Sequence, residues 1–231
     1  MNSIQKTARM AGFFYFMYFV TQIFSDLYRN SFVVLGDAAA TASNIMAHEG
    51  LFTTITVVGD LLTAALFFLA AWALYVLLKP VNKNLALLFL LLNLAGVAIH
   101  CMSALNLFAA LLLMNGPDYL NVFQADQLQA LAMFFIDLRE KGFIMAQLFY
   151  GAWLFPLGYL VFKSGFLPKI LGIVLMVHCV GWFMTFLRSF LFPGFEGIIY
   201  LTYPLGFIAE FGLTLWLLFK GIKIPEMKSE N

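Results

Sequence analysis

The stretch LALLFLLLNLAGVAIHCMSALNLFAALLLM, residues 85–114, decides the fold class of this chain. It contains no aspartate, glutamate, lysine or arginine, and its apolar residues run continuously rather than in alternation. A helix needs roughly 20 apolar residues to cross the hydrocarbon core of a bilayer, and it satisfies its own backbone hydrogen bonds in lipid. The stretch therefore predicts a membrane-spanning α-helix rather than a strand of a barrel.

The whole chain has the composition of an integral membrane protein. Of its 231 residues, 63% are hydrophobic and 11% are charged, whereas a soluble domain carries about a quarter charged residues. The first apolar segment resembles a signal peptide but lacks a small-residue cleavage site, so we expect it to remain as a span. We predict a single transmembrane domain over residues 1–231, an all-α integral membrane six-helix bundle, with spans at about 10–28, 50–78, 85–114, 142–162, 169–192 and 197–219.

Two short amphipathic helices are predicted in the longer connections between the spans. Asp37 is a suitable N-cap for an Ala-rich helix that runs to His48. A second helix is indicated by apolar residues at helical spacing, Leu128, Leu131, Phe135 and Leu138. Both helices are expected to lie on the outer membrane surface or to cover an opening there.

The basic residues indicate the orientation, because cytoplasmic loops of membrane proteins carry an excess of lysine and arginine. With both termini in the cytoplasm, nine of the thirteen basic residues fall on the cytoplasmic side: Lys6, Arg9, Lys79, Lys83, Lys163, Lys169, Lys220, Lys223 and Lys228. The outer side then keeps Arg29, Arg139, Lys141 and Arg188. Three inward-running helices also end alike, with an aromatic residue four positions before a lysine: Tyr75 and Lys79, Tyr159 and Lys163, Trp216 and Lys220.

Four polar residues are predicted near the middle of the membrane. Counted at about 1.5 Å per residue from the span ends, Asp60, Asn93, His178 and Glu210 lie roughly 15 to 20 Å below the outer surface. Because a charge at that depth is unfavourable, we expect both carboxylates to face the protein interior. Carboxylates beside a histidine suit proton exchange, cation binding or a hard metal ion, but the same residues can simply hydrogen-bond across helix interfaces.

A second set of polar residues, Asp26, His100 and Gln147, is predicted closer to the outer surface, with Arg29 and Arg188 above it. Together they indicate an outward-facing polar vestibule, although charges near helix ends also extend to lipid headgroups. His100 and His178 are each followed by a cysteine. Consecutive helical residues point about 100° apart, so these pairs are poor metal or haem ligands, and no cofactor, metal site or catalytic residue is predicted.

Three stretches carry a resemblance to a known family: GDAAATA at 36–42, LYVLLKPVN at 74–82 and above all GYLVFKSGFLPKILG at 158–172. They resemble the bacterial multi-pass membrane protein family known as domain-of-unknown-function family 4386. The resemblance extends over nearly the whole chain. It implies a protein of the bacterial cell (inner) membrane with several spans, and it implies no agreed activity.

The leading functional hypothesis is a membrane protein that binds or moves a small molecule, ion or lipid through an outward-facing cavity. The candidate ligand-binding residues are Asp60, Asn93, His100, His178 and Glu210. Two alternatives remain open: a membrane-embedded enzyme with an Asp/Glu/His site, and a structural or accessory membrane subunit. Membrane lipids are the expected partners, and a net charge of +1 without a basic cluster gives no reason to expect nucleic acid. The sequence does not predict an oligomeric state.

The lysine distribution generates a test of topology. Reporter fusions after Lys83, Lys169 and Lys228 are expected to report the cytoplasm, and fusions near Asp37, Asp118 and Glu196 the opposite side. The measurement is the ratio of alkaline phosphatase to fluorescent-protein activity at each position. A fusion at Lys169 that is active outside the cytoplasm contradicts the six-span arrangement.

Overall fold

The computed structural model describes residues 3–192 and 197–222, and this part of the chain is helical without β-strands. Helix α1 is Ser3–Phe32, α2 is Ala38–Ala47 and α3 is Glu49–Leu78. Helix α4 is Lys83–Met114, and a short 3-10 helix, Asp118–Val122, precedes α5, Ala125–Ala152. Helices α6 and α7 are Leu154–Lys163 and Lys169–Leu191, and α8 begins at Gly197 and ends at Lys220. Lys223, Lys228 and Glu196, used above for topology, lie outside the described residues.

Five helical segments in the described part of the chain are long and apolar enough to cross a membrane. They are Glu49–Leu78, Lys83–Met114, Ala125–Lys163, Lys169–Leu191 and Thr202–Lys220. Helix α1 is long enough to cross a membrane, at 30 residues, but it is less apolar than these five segments. Its second half carries glutamine, aspartate and arginine among its aromatic residues. The fold class is therefore that of an all-helical protein with membrane-compatible helices.

Backbone contacts divide the chain into two compact units. The first unit consists of Met1–Phe16, Phe67–Gly96 and Gln147–Asn231, and the second consists of Met17–Leu66 and Val97–Ala146. Helices α1, α3, α4 and α5 each contribute residues to both units, whereas α2 belongs to the second and α6 to α8 belong to the first.

The second unit contains the predicted Ala-rich helix. Asp37 caps α2, because its carboxylate accepts a hydrogen bond from the backbone N–H of Ala40 at 2.9 Å, and the helix ends beside His48. This local prediction is confirmed. Helix α2 packs into an apolar core formed with α1, α3, α4 and α5, whose buried residues include Phe32, Ile45, Phe52, Val57, Leu107, Ala132 and Ile136.

The second predicted amphipathic helix is not a separate element. It is the first part of α5, which continues without interruption from Ala125 to Ala152. The predicted boundary near residue 142 was wrong because Glu140, Lys141 and Gly142 look like a loop in sequence, yet all three continue the helix. The buried side of this segment carries Ala132, Ile136 and Arg139, so the helix is rotated from the apolar stripe predicted above.

The first unit contains a helical hairpin, α6 and α7, joined by a tight turn in which Gly165 has φ of 72°. Pro156 explains why α5 and α6 are separate, since it has no N–H to donate to the carbonyl of Ala152, where α5 ends. At the cytoplasmic ends proposed from sequence, the Lys79 ammonium lies 5.8 Å from the Tyr75 ring and the Lys163 ammonium 5.9 Å from the Tyr159 ring. Such cation–π contacts hold the lysines alongside their own helices.

The two helices of this hairpin approach each other backbone to backbone. A Cβ placed on Gly172 would lie 2.5 Å from the carbonyl oxygen of Gly158, and one on Gly158 would lie 2.6 Å from that of Gly172. Small residues at a helix crossing allow this approach in membrane proteins.

We therefore expect Gly172→Ala to lower the free energy of unfolding by about 1 to 3 kcal/mol, since the obstructing atoms are backbone and cannot rotate away. The matched control is Gly212→Ala in the same unit, where a Cβ would meet only the Leu171 side chain at an ordinary 3.5 Å. Thermal unfolding of both variants in detergent provides the comparison. Equal midpoints would show that the close crossing is not needed.

Candidate functional site

A buried aspartate lies at the centre of the second unit. The Asp60 side chain is 1% exposed, and its Oδ2 accepts hydrogen bonds from Arg139 Nε at 3.0 Å and Arg139 Nη2 at 2.5 Å. Its Oδ1 accepts a hydrogen bond from Arg29 Nη1 at 3.2 Å. His100 Nε2 lies 3.8 Å from Oδ2. Two guanidinium groups and an imidazole thus surround one carboxylate in a buried site, where such pairs are stronger than on a surface.

Two partly exposed carboxylates extend this cluster outward. Arg29 also donates to Glu140 Oε1 from Nε at 3.1 Å and to Asp26 from Nη2, while Arg139 Nη1 donates to the same Glu140 oxygen at 2.9 Å. The Asp26 side chain is 36% exposed and that of Glu140 is 46% exposed, whereas both arginines are buried. We call Asp26 and Glu140 the acidic rim. The cluster therefore passes from an exposed acidic edge to a buried interior.

An aromatic ring packs against the inner part of the cluster. The Arg139 guanidinium lies 4.8 Å from the centroid of the Phe143 ring, one helical turn farther along α5. The His100 ring contacts the same Phe143 ring edge to face, with centroids 4.8 Å apart. Phe143 therefore fixes both groups and covers them with apolar surface.

The backbone of α3 is adapted to hold Asp60 in this place. Thr53–Val58 forms a π-helical turn just before it, and the Gly59 N–H donates to the carbonyls of Thr54 and Thr56. The carbonyl of Ile55 instead accepts a hydrogen bond from Ser25 Oγ at 3.0 Å. A Cβ on Gly59 would overlap the Ser25 hydroxyl, so glycine is required for this contact. π-Helical turns are rare and are frequent at functional sites.

The first unit contains a different polar cluster around Glu210. The Tyr15 hydroxyl donates to Glu210 Oε2, His178 Nδ1 lies 3.2 Å from Oε1, and Trp182 Nε1 lies 3.5 Å from Oε1. Glu210 is 8% exposed, and Tyr15 is fully buried against the rings of Phe67 and Trp153, whose centroids are 5.6 and 5.9 Å away. The carboxylate thus accepts hydrogen bonds from one donor on α1 and one on α7, and the His178 ring lies beside it.

The local structure of α8 again departs from a regular helix at the acidic residue. Glu210 lies within the π-helical turn Phe207–Phe211, which follows Pro204 inside the helix. Gly206 makes room for the histidine, since a Cβ there would lie 2.5 Å from ring atoms of His178. Thr214 Oγ1 donates to the carbonyl of Glu210 at 2.8 Å, which supplies a hydrogen bond to the altered backbone. The sequence analysis did not predict this π-helical turn.

The candidate residues separate into these two clusters and one isolated position. Asp60 and His100 lie together in the second unit, and His178 and Glu210 lie together in the first. Both carboxylates are buried in protein, as predicted. Asn93 is fully buried in the first unit, and neither its amide oxygen nor its amide nitrogen has a hydrogen-bond partner among the described residues.

Sequence reasoning missed the strongest partners of both carboxylates. Arg139 was assigned only to the outer side, although the spacing of Ala132, Ile136 and Arg139 places it on a continuous buried face of α5. Arg29 was placed above the vestibule as a charge at a helix end. Tyr15 and Trp182 carry no sequence signal, because aromatic residues are abundant throughout this chain. Within the described residues, no group of three or more His, Cys, Asp or Glu side chains is arranged to hold a metal ion.

Long apolar helices and buried charged clusters define the class of this molecule, a helical protein suited to a membrane environment. The chain belongs to the family described as Domain of unknown function (DUF4386), whose model matches residues 10–221. It is also 30% identical over 177 residues to an uncharacterized protein from Archaeoglobus fulgidus, covering 77% of this chain and 90% of that relative. No solved structure matches the chain.

The pairing of Asp60 generates a stability prediction. Arg139→Met is expected to lower the free energy of unfolding by about 3 to 5 kcal/mol, because it removes a buried guanidinium and leaves the carboxylate poorly compensated. Lys141→Met on the same helix is the control, since Lys141 is exposed, and we expect a change within about 0.5 kcal/mol. Denaturant unfolding in mixed micelles measures both. Similar losses in the two variants would contradict a buried ion-pair network.

Proposed function

We propose that the chain spans a bacterial inner membrane six times, with α1 as the additional span and both termini in the cytoplasm. Helix α1 has 30 residues, which at about 1.5 Å per residue exceeds the ~30 Å hydrocarbon core. The lysine distribution supports this orientation. On this topology the acidic rim faces the outer side.

We further propose that the second unit binds a small cationic solute or ion from the outer side, at the acidic rim. The observation that carries this proposal is the change in exposure across the cluster. Its two partly exposed carboxylates form ion pairs with arginines that are buried. A carboxylate that faced lipid would be strongly unfavourable, so the exposed edges of Asp26 and Glu140 meet water or headgroups. A ligand arriving at this edge encounters negative charge first.

The charge balance of the cluster favours a cation. Two guanidinium groups face three carboxylates, so the cluster carries one excess negative charge when His100 is neutral. The Oε2 atom of Glu140 accepts no hydrogen bond from a described residue and is available as a ligand. An incoming anion would be repelled by the rim, and the guanidinium nitrogens are already occupied.

Arg29 is the residue through which binding at the rim would affect the interior. Among the carboxylates of the described residues it contacts both members of the rim and Asp60, whereas Arg139 contacts Glu140 and Asp60. A cation on the rim competes with Arg29 for Asp26 and Glu140, and Arg29 then keeps only its contact with Asp60. The rim carboxylates are partly exposed, so this exchange disturbs the cluster less than opening the fully buried Asp60 pair, and the two guanidinium nitrogens that Arg29 frees then need another acceptor such as water.

A structural or accessory role is the second candidate. The specific observation that favours it is that every guanidinium nitrogen of Arg29 and Arg139 has a carboxylate acceptor. Such a saturated network holds α1, α3 and α5 together without a ligand. In this case the rim variants described next change stability alone.

The test uses the full chain in lipid nanodiscs and a panel of chloride salts of sodium, potassium, magnesium, methylammonium and tetramethylammonium. We expect at least one cation to raise the melting temperature, because a ligand that binds only the folded state stabilises it, by about 2.7 kcal/mol at a hundredfold excess over Kd. The Asp26→Asn, Glu140→Gln double variant is expected to lose this stabilisation. Asp137→Asn, an exposed acid on the same helix, is expected to retain it.

Two results would contradict the proposal. The first is that all cations of the panel, sodium and tetramethylammonium included, stabilise the wild-type protein equally at equal ionic strength. The second is equal stabilisation of the wild-type and the double variant. A lower melting temperature of the double variant without any dependence on cation identity favours the structural role.

A further inference from the structure

We propose that Glu210 and His178 form a proton-exchange site in the first unit, in which the carboxyl group and the imidazole share one exchangeable proton. This site uses none of the residues of the acidic rim, and its function is separate from the cation binding proposed there. Its ligand is the proton itself. The geometry that carries the inference is a buried carboxylate–imidazole contact without a permanent cation.

The charge environment of Glu210 differs from that of Asp60. Within the described residues, neither Glu210 nor His178 forms an ion pair with a lysine or arginine, and their only ion pair is with each other at 3.2 Å. Both are buried. An isolated buried charge is strongly unfavourable, so the pair is stable when its total charge is zero, which requires one proton on Glu210 or on Nδ1 of His178.

The groups that face Glu210 exclude other ligands. From α1 the Tyr15 hydroxyl donates to the carboxylate, and from α7 the indole N–H of Trp182 does so, while Nδ1 of His178 lies 3.2 Å from it without a hydrogen bond. From α8 itself, Thr214 binds the backbone carbonyl of Glu210. Within the described residues, no third His, Cys, Asp or Glu side chain joins Glu210 and His178 in an arrangement that could hold a metal ion, and an anion would be repelled by the carboxylate. Because hydrogen-bond donors surround Glu210 and its neighbour His178, a proton is the ligand that this site can accept.

The backbone at this site supports a change in position when the proton binds or leaves. Glu210 lies in a π-helical turn, Pro204 removes one backbone hydrogen bond of the preceding turn, and Gly206 allows the imidazole to contact the helix backbone directly. Such irregular turns repack by small changes in backbone hydrogen bonding. No covalent bond changes other than the O–H or N–H bond, and the proton is exchanged with water.

The experiment is infrared difference spectroscopy of the full chain in liposomes, between about pH 5 and 8. We expect a carboxylic-acid C=O band that changes with pH and shifts on exchange into D₂O. Glu210→Gln is expected to remove it, whereas Glu49→Gln, an exposed acid, is expected to leave it unchanged. Tyr15→Phe is expected to shift the band, because the carboxyl group loses a hydrogen-bond donor.

His178→Asn tests the shared proton directly. Removing the imidazole is expected to change the frequency of the Glu210 carboxylic-acid band, because the carboxyl group loses its neighbour at 3.2 Å. The proposal is overturned if the wild-type protein has no pH-dependent carboxylic-acid band. It is also overturned if the band survives Glu210→Gln, if His178→Asn leaves the band unchanged, or if sodium at constant pH removes it. The absence of the band in the wild-type protein is decisive even where a variant does not fold.

Discussion

The pairing of Asp60 with Arg139 is the interaction on which the second unit depends. Both groups are buried, and their attraction replaces the water that each lost on folding. The pairing brings α3 and α5 to a defined distance, and Arg29 adds α1 to the same contact. Removing Arg139 leaves the buried Asp60 with Arg29 as its remaining guanidinium partner, whereas the apolar core around Phe52 and Ile136 would tolerate substitutions that conserve volume.

The two polar clusters stabilise a buried carboxyl group with different kinds of partner. Asp60 is compensated by permanent positive charges, so its ionisation is fixed by the protein. Glu210 is compensated by hydrogen-bond donors and by a histidine, which is the one side chain whose unperturbed charge changes near neutral pH. The first arrangement suits a rigid support for a binding surface, and the second suits a group that exchanges protons.

The fold class could be predicted from the sequence because long apolar runs, such as residues 85–114, identify helices that fit a membrane. The cap of α2 by Asp37 was equally predictable, since an N-cap is a local interaction within a few residues. The contacts of Arg139 with Asp60 and of Tyr15 with Glu210 could not be predicted in this way. These partners lie on other helices, and a single sequence does not show which helices are neighbours. The continuity of α5 was missed for a related reason: Glu140, Lys141 and Gly142 are polar or flexible residues, but tertiary contacts to Arg139 and Glu140 keep them helical.

The π-helical turns have a consequence for how this chain tolerates insertions and deletions. A π-helical turn accommodates one residue more than an α-helical turn. Deleting a single residue from Thr53–Val58 would therefore restore a regular helix and leave the segments on either side facing nearly the same directions, because the wider turn had absorbed the extra residue. A deletion in a regular α-helical turn has no such reserve and rotates one side by about 100° relative to the other. The π-helical turn before Asp60 is therefore the place in α3 where the loss of one residue would leave the face that meets Arg139 in position.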